Sequence, residues 1–290
     1  RLAPREPTPV TVAYVAAVQL AAAAAAAEAM ASLRSAEVSV GAAPLAIGAN
    51  RRERQADGRV VLGVNPAGPT LHEVTVWQIA REGAERVVLF SAPFHGVTMG
   101  HDNLYICAEW MGAAVRELER REPGLKAVFL QGCAGNQNVA RGRGGFVQVT
   151  DHGTTTAQAV SAALAHVKPV AALPLRTYLA DVPVPLRDGT PFPVSCHGLR
   201  LGAAAMVGLG GEAFVEYALH GRQVSPFAST LILGYTDAVV GYLAVAATYA
   251  EGGYEAEANQ YFETAQPWSP AIEDLLKAAV VKALAALAAG

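Results

Sequence analysis

The polar residues with catalytic potential sit in glycine-rich loops that directly follow apolar runs. The first run, RVVLFSA at 86–92, leads into His95, Gly96, Gly100, His101, Asp102 and Asn103. A histidine among glycines at a strand end can ligate a metal or carry a proton, although a lone histidine is more often structural. The second run, AVFLQ at 127–131, opens into Gly132, Gly135, Asn136, Gln137 and Asn138. Glycines there let backbone N–H groups face a ligand. The third ends in Gly208-Leu209-Gly210-Gly211-Glu212-Ala213, with Glu212 at a helix start. A fourth segment, GYLAVAATYAEGGYE, carries Tyr242, Tyr249 and Tyr254 and is too rich in Gly and Glu for a simple core helix.

The third loop has a competing reading. Gly208, Gly210 and Ala213 match the GxGxxG/A dinucleotide fingerprint between a strand and a helix. Asp237 follows about 24 residues after Ala213, near the spacing of a ribose-binding carboxylate. An NAD(P)-dependent oxidoreductase is therefore an alternative. A pyrophosphate would occupy the place where Glu212 must meet a metal, so the loop cannot serve both roles. The sequence contains no HExxH, GxSxG or Walker A motif, and Ser195-Cys196-His197 are adjacent only in sequence.

The elements that must position these loops alternate between strand and helix. An Ala-rich helix is expected over 8–34. Strands are expected at 36–41, 60–62, 74–79, 86–92, 127–131, 199–207 and 230–234. Helices are expected at 108–120, 153–167, 213–222 and 270–287. Residues 180–200, with Pro183, Pro185, Pro191 and Pro193, read as a loop or hairpin excursion. This order predicts an α/β fold, a mixed sheet flanked by helices, with no domain boundary in residues 1–290.

Composition narrows the function classes. The chain has 290 residues, 52% apolar, and a net charge of -3. That is enough for a substantial core, and it offers no basic face for nucleic acid. The basic runs at Arg51-Arg52-Glu53-Arg54 and Arg141-Gly142-Arg143 read as solvated loops. Cys107, Cys133 and Cys196 are scattered and odd in number, so neither a disulfide framework nor a cysteine zinc site is expected. The charge-free stretch Val10 to Ala27 is mostly alanine, so a buried or half-buried helix is expected rather than a transmembrane segment or signal peptide. The compartment stays open between cytoplasmic and exported.

Taken in order, the four segments resemble the catalytic domain of the neutral/alkaline non-lysosomal ceramidase family, over residues 36–255. FHGVTMGHDNLYICAEWMGAA is similar to the family's second zinc-histidine segment, and GLGGEAF to its PGE segment. FLQGCAGNQN is similar to the loop that reads GDVSPN in ceramidases. GYTDAVVGYLAVAATYAEGGYE is similar to the segment with a zinc-ligating tyrosine and, twelve residues on, a substrate-contacting one. The resemblance implies that His95, Glu212 and Tyr242 ligate Zn2+ and that Tyr254 contacts the scissile amide. It places Asn138 where the family carries its serine and Asn136 where it carries aspartate. The family's first zinc histidine lies upstream of the long helix. The resemblance therefore implies a chain truncated at its N-terminus, short of one ligand, and without a C-terminal immunoglobulin-like domain. Asparagine is neither nucleophile nor base, so the implied activity is zinc-dependent hydrolysis of a small-molecule or lipid amide, or an ester, other than ceramide. A metal-free, inactive fragment is the remaining alternative.

Overall fold

The computed structural model describes residues 8–140, 144–262 and 264–289. The Arg141-Gly142-Arg143 segment lies outside them. The chain begins with α1 (Pro9–Ala31), then β1 (Ala36–Pro44), β2 (Gly48–Arg54), β3 (Val60–Asn65), β4 (Glu73–Arg81) and β5 (Arg86–Ala92). It continues through α2 (Glu109–Arg121), β6 (Leu125–Gln131), β7 (Gln137–Val139), α3 (Gly145–Leu164) and β8 (Lys168–Val170). Next come β9 (Leu175–Pro185), β10 (Pro191–Leu201), β11 (Ala204–Leu209), β12 (Glu212–Ala213), α4 (Val215–Val224), β13 (Ser229–Leu233) and β14 (Tyr242–Leu243). The last elements are α5 (Ala246–Glu251), α6 (Tyr254–Glu257), a 3-10 turn at Ala258–Tyr261 and α7 (Ile272–Ala288).

Two larger sheets organise the chain, one in the order β6-β5-β4-β1-β8 and one in the order β13-β11-β10-β9. Each is mixed: β5 and β6 run parallel in the first, β11 and β13 in the second, and the other pairs are antiparallel. The period-2 alternation of strand side chains decides how the sheets stack. On β4, Val74 and Val76 join a core with Phe90, Trp110 and Leu118, on the side of α2 and α3. Trp77, facing the other way, packs with Val40 of β1 and with Ala204 and Leu231 of the second sheet. On β11, Ala205, Val207 and Leu209 face the core they share with Val280 and Leu284 of α7. The result is helix layer, sheet, sheet, helix layer.

Trp77 is fully buried between the sheets, and its indole N–H donates to Ser229 Oγ at 2.9 Å. Ser229→Ala leaves that donor without its acceptor. The expected cost is about 1–3 kcal/mol of unfolding free energy, read from urea denaturation.

The predicted class holds, while several boundaries move. The 199–207 strand is divided: Leu199 to Leu201 end β10, Gly202 turns at φ 55°, and β11 begins at Ala204. The proline-rich excursion is an ordered antiparallel hairpin of β9 and β10. Its prolines are tolerated because β9 lies at a sheet edge and because Pro191 and Pro193 fall in the part of β10 that β11 does not pair. The 49–69 stretch contains two strands, β2 and β3.

The N-terminal helix corrects the expectation of burial. Thr8 Oγ1 accepts from Thr11 N at 3.2 Å and Pro9 opens α1, so the helix starts where a cap and a first-turn proline should start it. No residue of α1 is buried. Its apolar side chains lie on every side rather than on one stripe, so no single face directs it onto the sheets. It has 23 residues and an 18-residue window of mean hydropathy 1.8, which is long and apolar enough to cross a membrane by length and composition.

Candidate functional site

The candidate residues come together through strand pairing and side-chain contacts. His95 follows β5. Its backbone N–H donates to Gln137 O at 3.2 Å, and it forms a parallel bridge with Asn138 of β7. Glu109, at the start of α2, ties the His95 loop from behind, its carboxylate accepting from Thr98 N (3.1 Å) and Met99 N (2.9 Å). Glu212 and Tyr242 are direct register partners in the two-stranded parallel sheet of β12 and β14. Pairing at that register puts both side chains on the same face.

The three residues predicted as metal donors therefore come together. His95 Nε2 lies 3.4 Å from Glu212 Oε2, with both side chains largely buried. Tyr242, itself buried, stands beside Glu212 in the β12–β14 pairing. Burial pushes the Glu212 carboxyl above its usual range, while hydrogen bonds from Tyr235 and Tyr242 and the charge of Arg51 pull it back. Burial likewise holds the Tyr242 phenol protonated well above its ordinary range.

The two predicted catalytic residues are also present. Asn138 is buried, and its Oδ1 accepts from Arg51 Nη1 at 3.4 Å. Tyr254 is the most open member, 40% exposed, its ring edge-on to Tyr242 with centroids 5.6 Å apart. His101 and Asp102 point away, both 93% exposed at the side chain. His72 packs against Phe94 instead.

Sequence reasoning missed three groups. Arg51 and Arg52, expected in a solvated loop, are 4% and 7% exposed on β2. Arg51 Nε donates to Glu255 Oε1 at 2.7 Å, and Arg52 Nη1 to Glu255 Oε2 at 2.6 Å. The Arg51 guanidinium lies over the rings of Tyr242 (5.2 Å) and Tyr254 (5.8 Å), within the range of a cation–π contact. A strand carrying two buried arginines needs a buried acid, and that acid stands 204 residues away from Arg51. No local pattern announces it. Tyr235 is the third. Its hydroxyl donates to Glu212 Oε2 at 2.7 Å and lies 3.3 Å from His95 Nδ1.

The dinucleotide reading does not survive the geometry. The expected strand–helix–strand unit exists, with β11 parallel to β13. Its glycines, however, pack on protein. A Cβ on Gly208 would meet the Thr236 side chain, and one on Gly210 would meet Ala238 O and Ser195. The N-terminus of α4 is closed by Asn136, whose Oδ1 accepts from Val215 N at 3.0 Å. Asp237 accepts from Ser195 Oγ at 3.0 Å. No face is left for a pyrophosphate.

The donor set also bears on zinc. Two donors about 2.0–2.2 Å from a tetrahedral zinc lie roughly 3.3–3.6 Å apart, and the His95–Glu212 separation is 3.4 Å. Imidazole, carboxylate and phenol are nitrogen and oxygen donors of the type zinc accepts. Among the described residues there is no cluster of three or more His, Cys, Asp or Glu suited to a metal. The three cysteines are free, and Cys133 and Cys196 are buried. Burial pushes the Cys196 thiol up to about 11 and Cys133 higher still.

The architecture is the α/β fold of the neutral ceramidases. In particular, the chain superposes on neutral ceramidase from Pseudomonas aeruginosa with a TM-score of 0.72, at 15% identity, covering 89% of this chain and 53% of that one. It superposes equally on a ceramidase complexed with C2, TM-score 0.72 and 15% identity, covering 90% of this chain and 55% of the other. The chain thus spans about half the length of the solved structures it matches. No family model matches the sequence, and no curated protein does.

Proposed function

We propose that this chain is a hydrolase of the ceramidase type that cleaves an amide or ester of a lipid or small molecule at a zinc site built on His95, Glu212 and Tyr242. The observation that carries the reading is the meeting of these side chains from three separate loops, with the spacing of two donors on one cation. Zinc bound there would polarise the scissile carbonyl and lower the pKa of an attacking water to about 7.

The chain's own residues supply the rest. Tyr254, half open to solvent and edge-on to Tyr242, offers its O–H to the carbonyl oxygen as negative charge develops. Arg51 holds permanent positive charge beside both tyrosines and strengthens that stabilisation. Asn138 has no nucleophilic atom; it fixes the Arg51 guanidinium and offers amide hydrogen-bonding groups to substrate. A mainly apolar cleft of about 420 Å³, lined by Ile47, Leu62, Val64 and Val139, includes Asn138 on its wall. That lining suits an acyl or alkyl chain, which supports a lipid amide as substrate.

The test is zinc content and hydrolysis of N-acyl and ester substrates by the chain. One zinc per chain with amide or ester cleavage is expected. Tyr254→Phe should lower kcat by about 10²-fold, as removal of one oxyanion donor does, with zinc content unchanged. A metal-free reading has one observation behind it, the Arg51 guanidinium already lying over Tyr242. Absence of zinc after growth and dialysis in zinc-containing buffer would favour it.

A further inference from the structure

We propose that a second cavity, at the junction of the two large sheets, binds the phosphate group of a phosphate ester through His166, Lys168, Arg222 and Ser229. The cavity has a volume of about 480 Å³ and shares no residue with the His95 site. Ser229 on its wall begins β13 and Leu233 ends it. That is roughly 13 Å of strand, and the Tyr235 turn that reaches His95 lies beyond it. The proposal is therefore independent of the zinc reading.

Three basic side chains from three elements line the cavity: His166 just after α3, Lys168 of β8 and Arg222 near the end of α4. No acidic residue is on its wall among the described residues, although the chain as a whole carries a net charge of -3. Sheet register aims the lysine. Lys168 pairs with Val40, so both side chains leave the first sheet on the same face. Val40 shares a core cluster with Ala204 and Leu231 of the second sheet, so the ammonium is carried toward the junction. Arg222 is anchored by Glu73, which lies outside the wall and engages Nη2 alone. The rest of the guanidinium fork stays available. Ser229 Oγ already accepts from the Trp77 indole N–H at 2.9 Å, so its own hydrogen is the one to donate into the cavity. Ammonium, guanidinium, imidazole and hydroxyl are the donors that phosphate oxygens accept from. The volume falls in the range of small-molecule sites, more than a bare ion needs, and Val40 and Phe227 add apolar wall for the remainder of an ester.

The experiment is calorimetric titration of the full chain with inorganic phosphate and with glycerol phosphate, at an ionic strength fixed with chloride. One saturable site is expected, with a Kd on the order of 1 mM or below and glycerol phosphate bound at least as tightly as the free ion. Lys168→Glu should weaken binding by about 10-fold or more, and Lys168→Ala and His166→Ala should weaken it less. These side chains are exposed, so the variants should fold. Lys282→Ala, which removes an exposed lysine of α7, should bind as the wild type does. Phosphatidylcholine vesicles with and without phosphatidic acid separate the two sources of ester. Capture by the phosphatidic acid vesicles that Lys168→Glu abolishes assigns a lipid headgroup, and binding of glycerol phosphate without capture assigns a soluble ester. The proposal is overturned by no saturable binding of glycerol phosphate together with no such capture, whatever inorganic phosphate does. Equal binding by Lys168→Glu and Lys282→Ala overturns it as well.

Discussion

Replacing His95 or Glu212 by alanine is expected to abolish zinc binding and to lower hydrolysis by about 10³-fold or more. The magnitude follows from what a metal contributes. Lewis-acid stabilisation of the reacting carbonyl is worth several kcal/mol, and each ~1.36 kcal/mol is a factor of ten in rate. Both side chains are largely buried and contribute to a single centre, so the two losses should not add: the double variant should fall no further than either single one. Metal content by mass spectrometry and turnover of an N-acyl substrate measure the effect together. A His95→Ala protein that keeps stoichiometric zinc and full activity places the chemistry elsewhere. A variant that loses zinc but keeps its activity separates the fold from the proposed mechanism. The folded state should survive, because His95 and Glu212 sit at strand ends rather than in either main core.

The second large effect belongs to Glu255. This carboxylate is almost wholly buried and answers two arginines at once, Arg51 at 2.7 Å and Arg52 at 2.6 Å. Glu251 adds a partial second partner to Arg52 at 3.2 Å, though it is itself about a third exposed. Glu255→Ala leaves two guanidinium groups in a dry site with little counter-charge. Breaking a buried pair from one side costs about 3–5 kcal/mol. The expected result is a loss of that size in urea unfolding at unchanged m, with activity falling as Arg51 drifts from Tyr242 and Tyr254. A loss below about 1 kcal/mol would mean that water reaches the arginines and that the triad behaves as a surface ion pair. The arrangement also explains why α6 stays docked beside the site. The helix is only one turn long, and the ion pairs from β2 anchor it across more than two hundred residues of chain.

Much of this was legible in the residues themselves. Apolar runs such as RVVLFSA and AVFLQ specify buried strands because only a strand between two packed layers hides both of its faces. The loops after them carried His95, Asn138 and Glu212, because side chains that would be costly inside a core sit where a sheet ends.

The tertiary structure decided the rest. Residues 51 and 52 read as a solvated loop because charge in a short window predicts exposure. Only the meeting of β2 with Glu255 makes their burial affordable, and pairing across 204 residues has no period to detect. The dinucleotide fingerprint was correct about a strand, a turn and a helix, and silent about Thr236 and Ser195 filling the space in front of its glycines. Tyr235 looked like any tyrosine until its φ and its two hydrogen bonds were fixed by chain segments far away. Sequence determines which groups are available and which element carries each, because propensity and patterning act over a few residues. Which groups touch depends on how two sheets stack, and that is set by the whole core at once.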